Sequence, residues 1–289
     1  MRITVRDISF GFFGGSLSAA SSLKNYVRGS VAGSMLFDCF SMEIGGNTGS
    51  LESHNGINQQ KDLHAMIRPL VILGPSGSGK STLLRLLGGL LKPQSGEIIY
   101  FDDDVEKDRA AGVLKSEAPR TAYMFQEPRL LPWLTILENI SIPLEKDFGK
   151  EGALERARHF LSLVSLEEKA AAYPAELSGG QAQRVSMARG FAWPASALFM
   201  DEPFQSLDIP LKINMMDLTL SLLAKEKRLL VVVTHNPSEA VYLASRIIIL
   251  GKPGKGIVFD RRIDLSSEER AFGSATAGEL EKEMILKLT

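Results

Sequence analysis

Gly74-Pro75-Ser76-Gly77-Ser78-Gly79-Lys80-Ser81 fits the pattern G-x-x-x-x-G-K-[S/T], and each residue type there has a chemical reason. Glycines let the backbone curl until successive N–H groups point inward at the oxygens of a phosphate. A helix opening at the end of such a loop aims its positive end at the same point. Lys80 adds a mobile positive charge for the outer phosphates of a nucleotide, and the Ser81 hydroxyl suits Mg²⁺. The alternative is a Gly/Ser-rich linker that happens to carry a lysine. It leaves the flanks unexplained, because Ile67–Leu73 reads as a buried strand and Ser81–Leu91 as an apolar helix.

Two further groups of residues narrow the chemistry. Leu177-Ser178-Gly179-Gly180-Gln181 places a serine and two glycines at the start of a helix, leaving free N–H groups for an anion. Read alone, Ser178 is also an ordinary helix N-cap. Ala197-Leu198-Phe199-Met200-Asp201-Glu202 is an apolar strand ending in two acids. Asp201 is placed to hold Mg²⁺ through water and Glu202 to polarise an attacking water. Two solvated acids at a strand end are common, and only the phosphate loop gives this pair a role. Kinases, GTPases and ATPases share such a loop, but no N-K-x-D motif for reading guanine is present.

Taken together these motifs resemble the ATP-binding subunits of ABC transporters. Gly74 to Ser81 corresponds to Walker A, Leu177 to Gln181 to the signature, and Leu198 to Asp201 to Walker B. The resemblance implies that Glu202 is the catalytic glutamate and that Lys80 and His235 assist it. ATP contacts would come from Gly74 through Ser81, Thr82 and the Q-loop residue Gln126. Mg²⁺ would take Ser81, Gln126 and Asp201. Ser178, Gly179, Gly180 and Gln181 would meet the ATP of a partner copy, with Asp208 in the D-loop. An aromatic near the end of the first strand usually stacks on adenine; Phe12 is the candidate, with Phe10 and Phe13 as rivals. Within the family, the stretch Phe125 to Trp133 looks like the branch serving nitrate, sulfonate and taurine importers, and Tyr173–Glu176 and Glu239–Ala244 agree. Gln205, Asn236 and Ala182 depart from the usual pattern without removing a catalytic group.

The elements that must position these residues follow from periodicity. Residues 2–10 alternate as a strand does and Met35–Ile44 reads as a second. The stretches 14–34 and 45–62, rich in Gly, Ser and Asn, read as long loops. Asp102 to Asp104 read as a solvated turn. Strands near 67–73, 96–100, 197–200 and 229–234 alternate with helices, which implies a parallel sheet. The helical stretch from 127 implies an insertion. The expected fold is α/β, a P-loop NTPase (RecA-like) core with an N-terminal β subdomain and an inserted helical subdomain. The expected division is 1–126, the β subdomain and phosphate-loop half; 127–190, the helical signature subdomain; 191–262, the Walker B and H-loop half; and 263–289, a C-terminal tail with a helical stretch at Leu280–Leu288.

Composition sets the remaining limits. The chain has 289 residues, 44% of them hydrophobic, and a net charge of −1. That supports a substantial core and argues against a nucleic-acid partner, which usually meets a strongly basic face. The one cysteine, Cys39, makes no internal disulfide and is expected as a small buried hydrophobe. Trp133 is expected as core or interface packing. No apolar run reaches the roughly 20 residues needed to span a bilayer. The start of the chain loosely resembles a secretory leader, but Asp7 and the glycines of its apolar stretch argue against one. The resemblance therefore implies a homodimeric ATP hydrolase on the cytoplasmic face of the membrane, peripheral, bound to separate permease subunits and served by an extracytoplasmic solute-binding protein. Other readings are an exporter motor, a soluble ABC ATPase, and a binding module without catalysis.

Overall fold

Side chains along a strand point alternately to opposite faces. A strand buried on both faces therefore reads as an unbroken apolar run. The computed structural model shows this at the centre of the molecule. It describes residues 1–13, 33–45, 68–101, 119–226 and 228–288. Strands β3 (Leu70–Leu73), β5 (Thr121–Met124), β6 (Ala197–Asp201), β7 (Leu229–Val233), β8 (Arg246–Leu250) and β9 (Ile257–Arg262) form one sheet in the order β5-β6-β7-β3-β8-β9. All pairings are parallel except β8 with β9, which is antiparallel. Val71, Leu73, Leu198, Met200, Val232, Ile247 and Ile249 join one core, and Leu70, Ile72, Phe199, Val231, Val233, Ile248 and Leu250 join the other.

The two cores are roofed differently. On the second face lie helix α1 (Lys80–Leu87) and a three-stranded antiparallel sheet of β1 (Arg2–Phe13), β2 (Gly33–Gly45) and β4 (Ser95–Phe101), in the order β2-β1-β4. On the first face lie α4 (Gly179–Ala192), α5 (Ile209–Glu226), α6 (Pro237–Leu243) and α7 (Ala275–Leu288). Helices α2 (Ile136–Ser141) and α3 (Glu145–Leu163) precede α4 and add Ile136, Ile140, Ala157 and Leu161 to that core. The expected α/β cassette, with its β subdomain and inserted helices, is the observed architecture.

Several local expectations need correction. Cys39 is exposed, with φ +48°. Ile8 pairs with Phe40 and Phe10 with Phe37, so β2 carries two residues, Asp38 and Cys39, opposite Ser9 alone. This β-bulge resets the alternation. Phe37 and Phe40 both reach the core, at 2% and 5% exposure, and Cys39 is turned outward. Trp133 is 71% exposed, which removes the core alternative and leaves interface packing. Helix α1 stops at Leu87 because Gly88 and Gly89 follow, the latter with φ +73°, and Leu90 is exposed. Helix α7 starts earlier than expected, and Ala277, Leu280 and Met284 give it a helical stripe that packs into the core. The remainders of the two long loop stretches, 14–32 and 46–62, and Asp102 to Asp104 lie outside the described residues.

One buried arginine ties this C-terminal segment down. Arg270 is 4% exposed, and its guanidinium donates to the carbonyl oxygens of Leu265 (2.7 Å), Val241 (3.1 Å), Ala244 (2.5 Å) and Ile263 (2.7 Å). Burial pushes its pKa down to about 10. Removing the donor strands several buried acceptors together. Arg270→Met should therefore lower unfolding free energy by about 2–4 kcal/mol, measured by urea denaturation; a loss below about 0.5 kcal/mol would contradict the clamp.

Candidate functional site

The phosphate loop leaves the carboxyl end of β3 and enters α1, and its shape is fixed from two sides. Gly77 and Gly79 have φ of +80° and +91°, a region that costs other residues roughly 1–2 kcal/mol. A Cβ on Gly79 would lie 2.9 Å from the Phe37 ring, so the small sheet rests directly on the loop. A Cβ on Gly74 would meet Ser78 Oγ at 2.6 Å and Leu250 O at 2.9 Å. Pro75 is half-buried, and Ser76 and Gly77 are exposed. Ser78 Oγ is buried and has no hydrogen-bond partner among the described residues. An orphaned hydroxyl inside a ring of curled backbone suits a phosphate oxygen. Lys80 is 8% exposed and donates from Nζ to Gly74 O (2.8 Å) and Pro75 O (3.0 Å). Burial pulls its pKa down, opposed by Glu202 and Asp201.

The end of β6 faces this loop. Ser81 Oγ donates to Asp201 Oδ1 at 3.0 Å, and Thr82 is buried one residue further along α1. Asp201 is 2% exposed; burial raises its pKa, while the Ser81 hydrogen bond opposes the rise. The chain then turns sharply. Glu202 has φ +51°, a left-handed backbone held by donation from its N–H to Val233 O at 2.9 Å. The turn lets two neighbouring acids serve different partners. Asp201 meets Ser81, and Glu202 Oε2 lies 2.5 Å from His235 Nδ1, just past the end of β7. Strain of this kind at a charged residue is a reason to look for function.

The remaining expected residues are arranged around this cluster. Gln126 follows β5, is exposed, and donates from Nε2 to Gln205 Oε1 at 3.2 Å. Two residues on, the main chain is tied to the signature helix, where Arg189 of α4 donates to Pro128 O (2.7 Å) and Arg129 O (3.0 Å). Ser178 caps α4, accepting from Gln181 N–H (3.3 Å) while its own N–H donates to Gln181 Oε1 (2.9 Å). Ser178 and Gly179 are exposed. Gly180 packs on the D-loop, a Cβ there lying 3.2 Å from Ser206 O, whereas a Cβ on Gly179 would meet open space. Asp208 caps α5 by accepting from Leu211 N–H at 2.9 Å. No hydrogen bond or ion pair among the described residues joins the signature to the phosphate loop. Phe10 is buried in the core, and the backbones of Phe12 and Phe13 lie in β1, while their side chains fall outside the described residues. Sequence reasoning missed Arg189, which reaches back 61 residues to Pro128, and it missed the contact of Gln205 with Gln126. Neither contact has a local signal.

Lysine, serine hydroxyl, buried acid and a glutamate–histidine pair at one end of a parallel sheet define a P-loop nucleotide hydrolase. The ABC transporter family model matches residues 66–205. An aliphatic sulfonates import ATP-binding protein, SsuB 1 of Xanthomonas axonopodis pv. citri, is 38% identical over 71% of this chain and 80% of its own length. A sulfonates import ATP-binding protein, SsuB of Escherichia coli O6:H1, is 37% identical over 82% of this chain and 86% of its own. A solved dimeric ATP-binding cassette, MJ0796, in a post-hydrolysis state bound to ADP and Pi, superposes with a TM-score of 0.65 at 26% identity, covering 91% of this chain and 99% of that one. The chain belongs to the ABC transporter ATP-binding family.

The loop geometry separates two glycines. Gly77→Ala meets open space and suffers only the left-handed penalty, about 1–2 kcal/mol. Gly79→Ala adds a contact under van der Waals distance with the Phe37 ring and should lose about 1–3 kcal/mol more. Denaturant midpoints of the two variants check this, and equal losses would contradict the packing of the small sheet on the loop.

Proposed function

We propose that this chain is the ATP-hydrolysing motor of a membrane importer, working as a homodimer on the cytoplasmic face of the membrane. The observation that carries the reading is the junction of two pairs at one strand end. Ser81 meets Asp201 at 3.0 Å, and the next residue, Glu202, meets His235 at 2.5 Å. Gly74 through Thr82 would cradle the phosphates of ATP through backbone N–H groups, Lys80 and the free hydroxyl of Ser78. Ser81, Asp201 and Gln126 would hold Mg²⁺. Among the described residues no three His, Cys, Asp or Glu converge to bind a metal by themselves. That fits an ion that completes its shell with phosphate oxygens and water. Bound Mg²⁺ would neutralise charge developing on the phosphates. Glu202 takes the proton of the attacking water, and His235 holds the Glu202 carboxylate in place and faces the γ-phosphate. Phe12 remains the proposed adenine platform.

The second half of the site would come from a partner copy. Ser178, Gly179, Gly180 and Gln181 stand at the exposed start of α4, and among the described residues a Cβ on Gly179 would meet open space. A phosphate from another subunit would approach there. Asp208, also exposed, would lie at the same seam. The dimeric neighbour supports this two-fold arrangement. Exposed Leu131, Trp133 and Ile142 would face the permease, in a helical unit of residues 127–190 that moves between the two core halves, 1–126 and 191–262, with 263–289 as the tail. The names of the relatives favour a small sulfonate or related anion as cargo, delivered by an extracytoplasmic solute-binding protein. No helix of the described residues is long and apolar enough to cross a membrane, in keeping with a peripheral subunit.

The test is uptake of an alkanesulfonate into proteoliposomes holding this chain, its permease and its binding protein. Wild type should drive ATP-dependent uptake. Glu202→Gln should keep ATP affinity while hydrolysis and uptake fall by roughly 10²-fold or more. Turnover near wild type would remove Glu202 as the base, and ATP-driven efflux would replace import with export.

A further inference from the structure

A buried ion pair lies next to the proposed hydrolytic pair without belonging to it. Glu239, on α6, is 3% exposed, and both of its carboxylate oxygens are engaged. Lys212 Nζ of α5 approaches Oε1 at 2.6 Å, and Thr234 Oγ1 donates to Oε2 at 2.6 Å. The side chains of Lys212 and Glu239 are 13% and 4% exposed. Burying such a pair brings little net stability, since apolar residues of similar volume usually do as well. A conformational role is the better-attested use.

The geometry indicates what is being positioned. Thr234 immediately precedes His235, and its hydroxyl also accepts the N–H of Asn236 at 3.1 Å. That hydroxyl therefore bridges the residues on either side of His235. Asn236 is fixed further by Ser238 N–H, which donates to its Oδ1 at 2.9 Å. The strand side is held by Thr234 N–H donating to Ile72 O at 3.2 Å. At the other end, Lys212 lies one turn into α5, and its N–H donates to Asp208 O at 2.8 Å. Polar contacts thus run from Asp208 through Lys212 and Glu239 to Thr234, and the main chain carries the link on to His235, which meets Glu202.

We infer that Thr234 and the Lys212–Glu239 pair are positioning residues that hold His235 against Glu202 and tie it to the start of α5. Their side-chain bonds run to one another and to the backbone beside His235, so they act on turnover through His235. The inference rests on the reading of Glu202 and His235 as the hydrolytic pair. A catalytic side chain needs its orientation locked from behind, and His235, 57% exposed, has little packing of its own to supply that.

The experiment is steady-state ATP hydrolysis by the assembled transporter, with ATP affinity measured on the same preparations. Thr234→Val keeps the shape and removes the hydroxyl; kcat should fall about tenfold, or 1.4 kcal/mol of barrier, with KM and affinity within about twofold of wild type. Thr234→Ser restores the hydroxyl and should bring kcat back to within about threefold. In a His235→Ala background, Thr234→Val should add less than a further twofold loss, because both changes remove one function. Three results overturn the inference: unchanged kcat in Thr234→Val, equal losses with and without His235, or no recovery with Ser. If Thr234→Val does not fold, Lys212→Gln at the α5 end should lower kcat about threefold at constant KM, and an unchanged kcat overturns the inference equally. Wild-type turnover in His235→Ala alone would overturn the site reading and this inference together. A slow His235→Ala beside a wild-type Thr234→Val overturns the inference alone.

Discussion

Asp201 is a carboxylate with 2% exposure at the end of a fully buried strand, and burial works against its charge. The residues that oppose this penalty all lie on α1. Ser81 donates to it at 3.0 Å, and Lys80 and Arg85 lend positive charge from the same helix. One interaction therefore binds α1 to β6, residues 120 apart in the chain. With α1 fixed, the loop before it has its end point. The small sheet then closes over the loop through Phe37, and the turn at Glu202 finds His235 on the neighbouring strand. The parallel sheet makes this possible because β3, β6 and β7 all end on one edge.

The helical insertion relates to this core in another way. Within it, the Arg189 guanidinium holds the carbonyl oxygens of Pro128 and Arg129, in the segment that directly follows Gln126. Movement of the signature helix would thus carry the segment after Gln126 with it. On the opposite side, Gln126 meets Gln205, where the D-loop begins. The two signature glycines differ: a Cβ on Gly180 would press on Ser206 O at 3.2 Å, whereas one on Gly179 would meet open space.

Much of this was legible because it is local. The glycines, Lys80 and Ser81 announce the loop, and unbroken apolar runs announce β6 and β7. Four-residue β5 alternates between half-buried and buried positions and was too short to stand out. Two backbone features were hidden: the bulge that exposes Cys39 and brings Phe37 and Phe40 to one side, and the left-handed turn at Glu202. Both depend on pairing with a distant strand. The Lys212–Glu239 pair was hidden for the same reason, its partners lying 27 residues apart on different helices. Trp133 reads as core or interface packing, and its 71% exposure removes only the first of these. Its cover is not within the described residues of the chain.

The central claim is that each hydrolytic site joins the phosphate loop of one copy to the signature of another. Mixing two inactive variants, Lys80→Ala and Ser178→Arg, tests it most directly. Each should be folded and inactive alone in the assembled transporter. A mixed dimer keeps one site with an intact Lys80 and an intact Ser178, so random exchange should restore up to about a quarter of wild-type hydrolysis if sites act independently. No recovery in exchanging mixtures, together with normal hydrolysis by Ser178→Arg alone, would contradict a shared site.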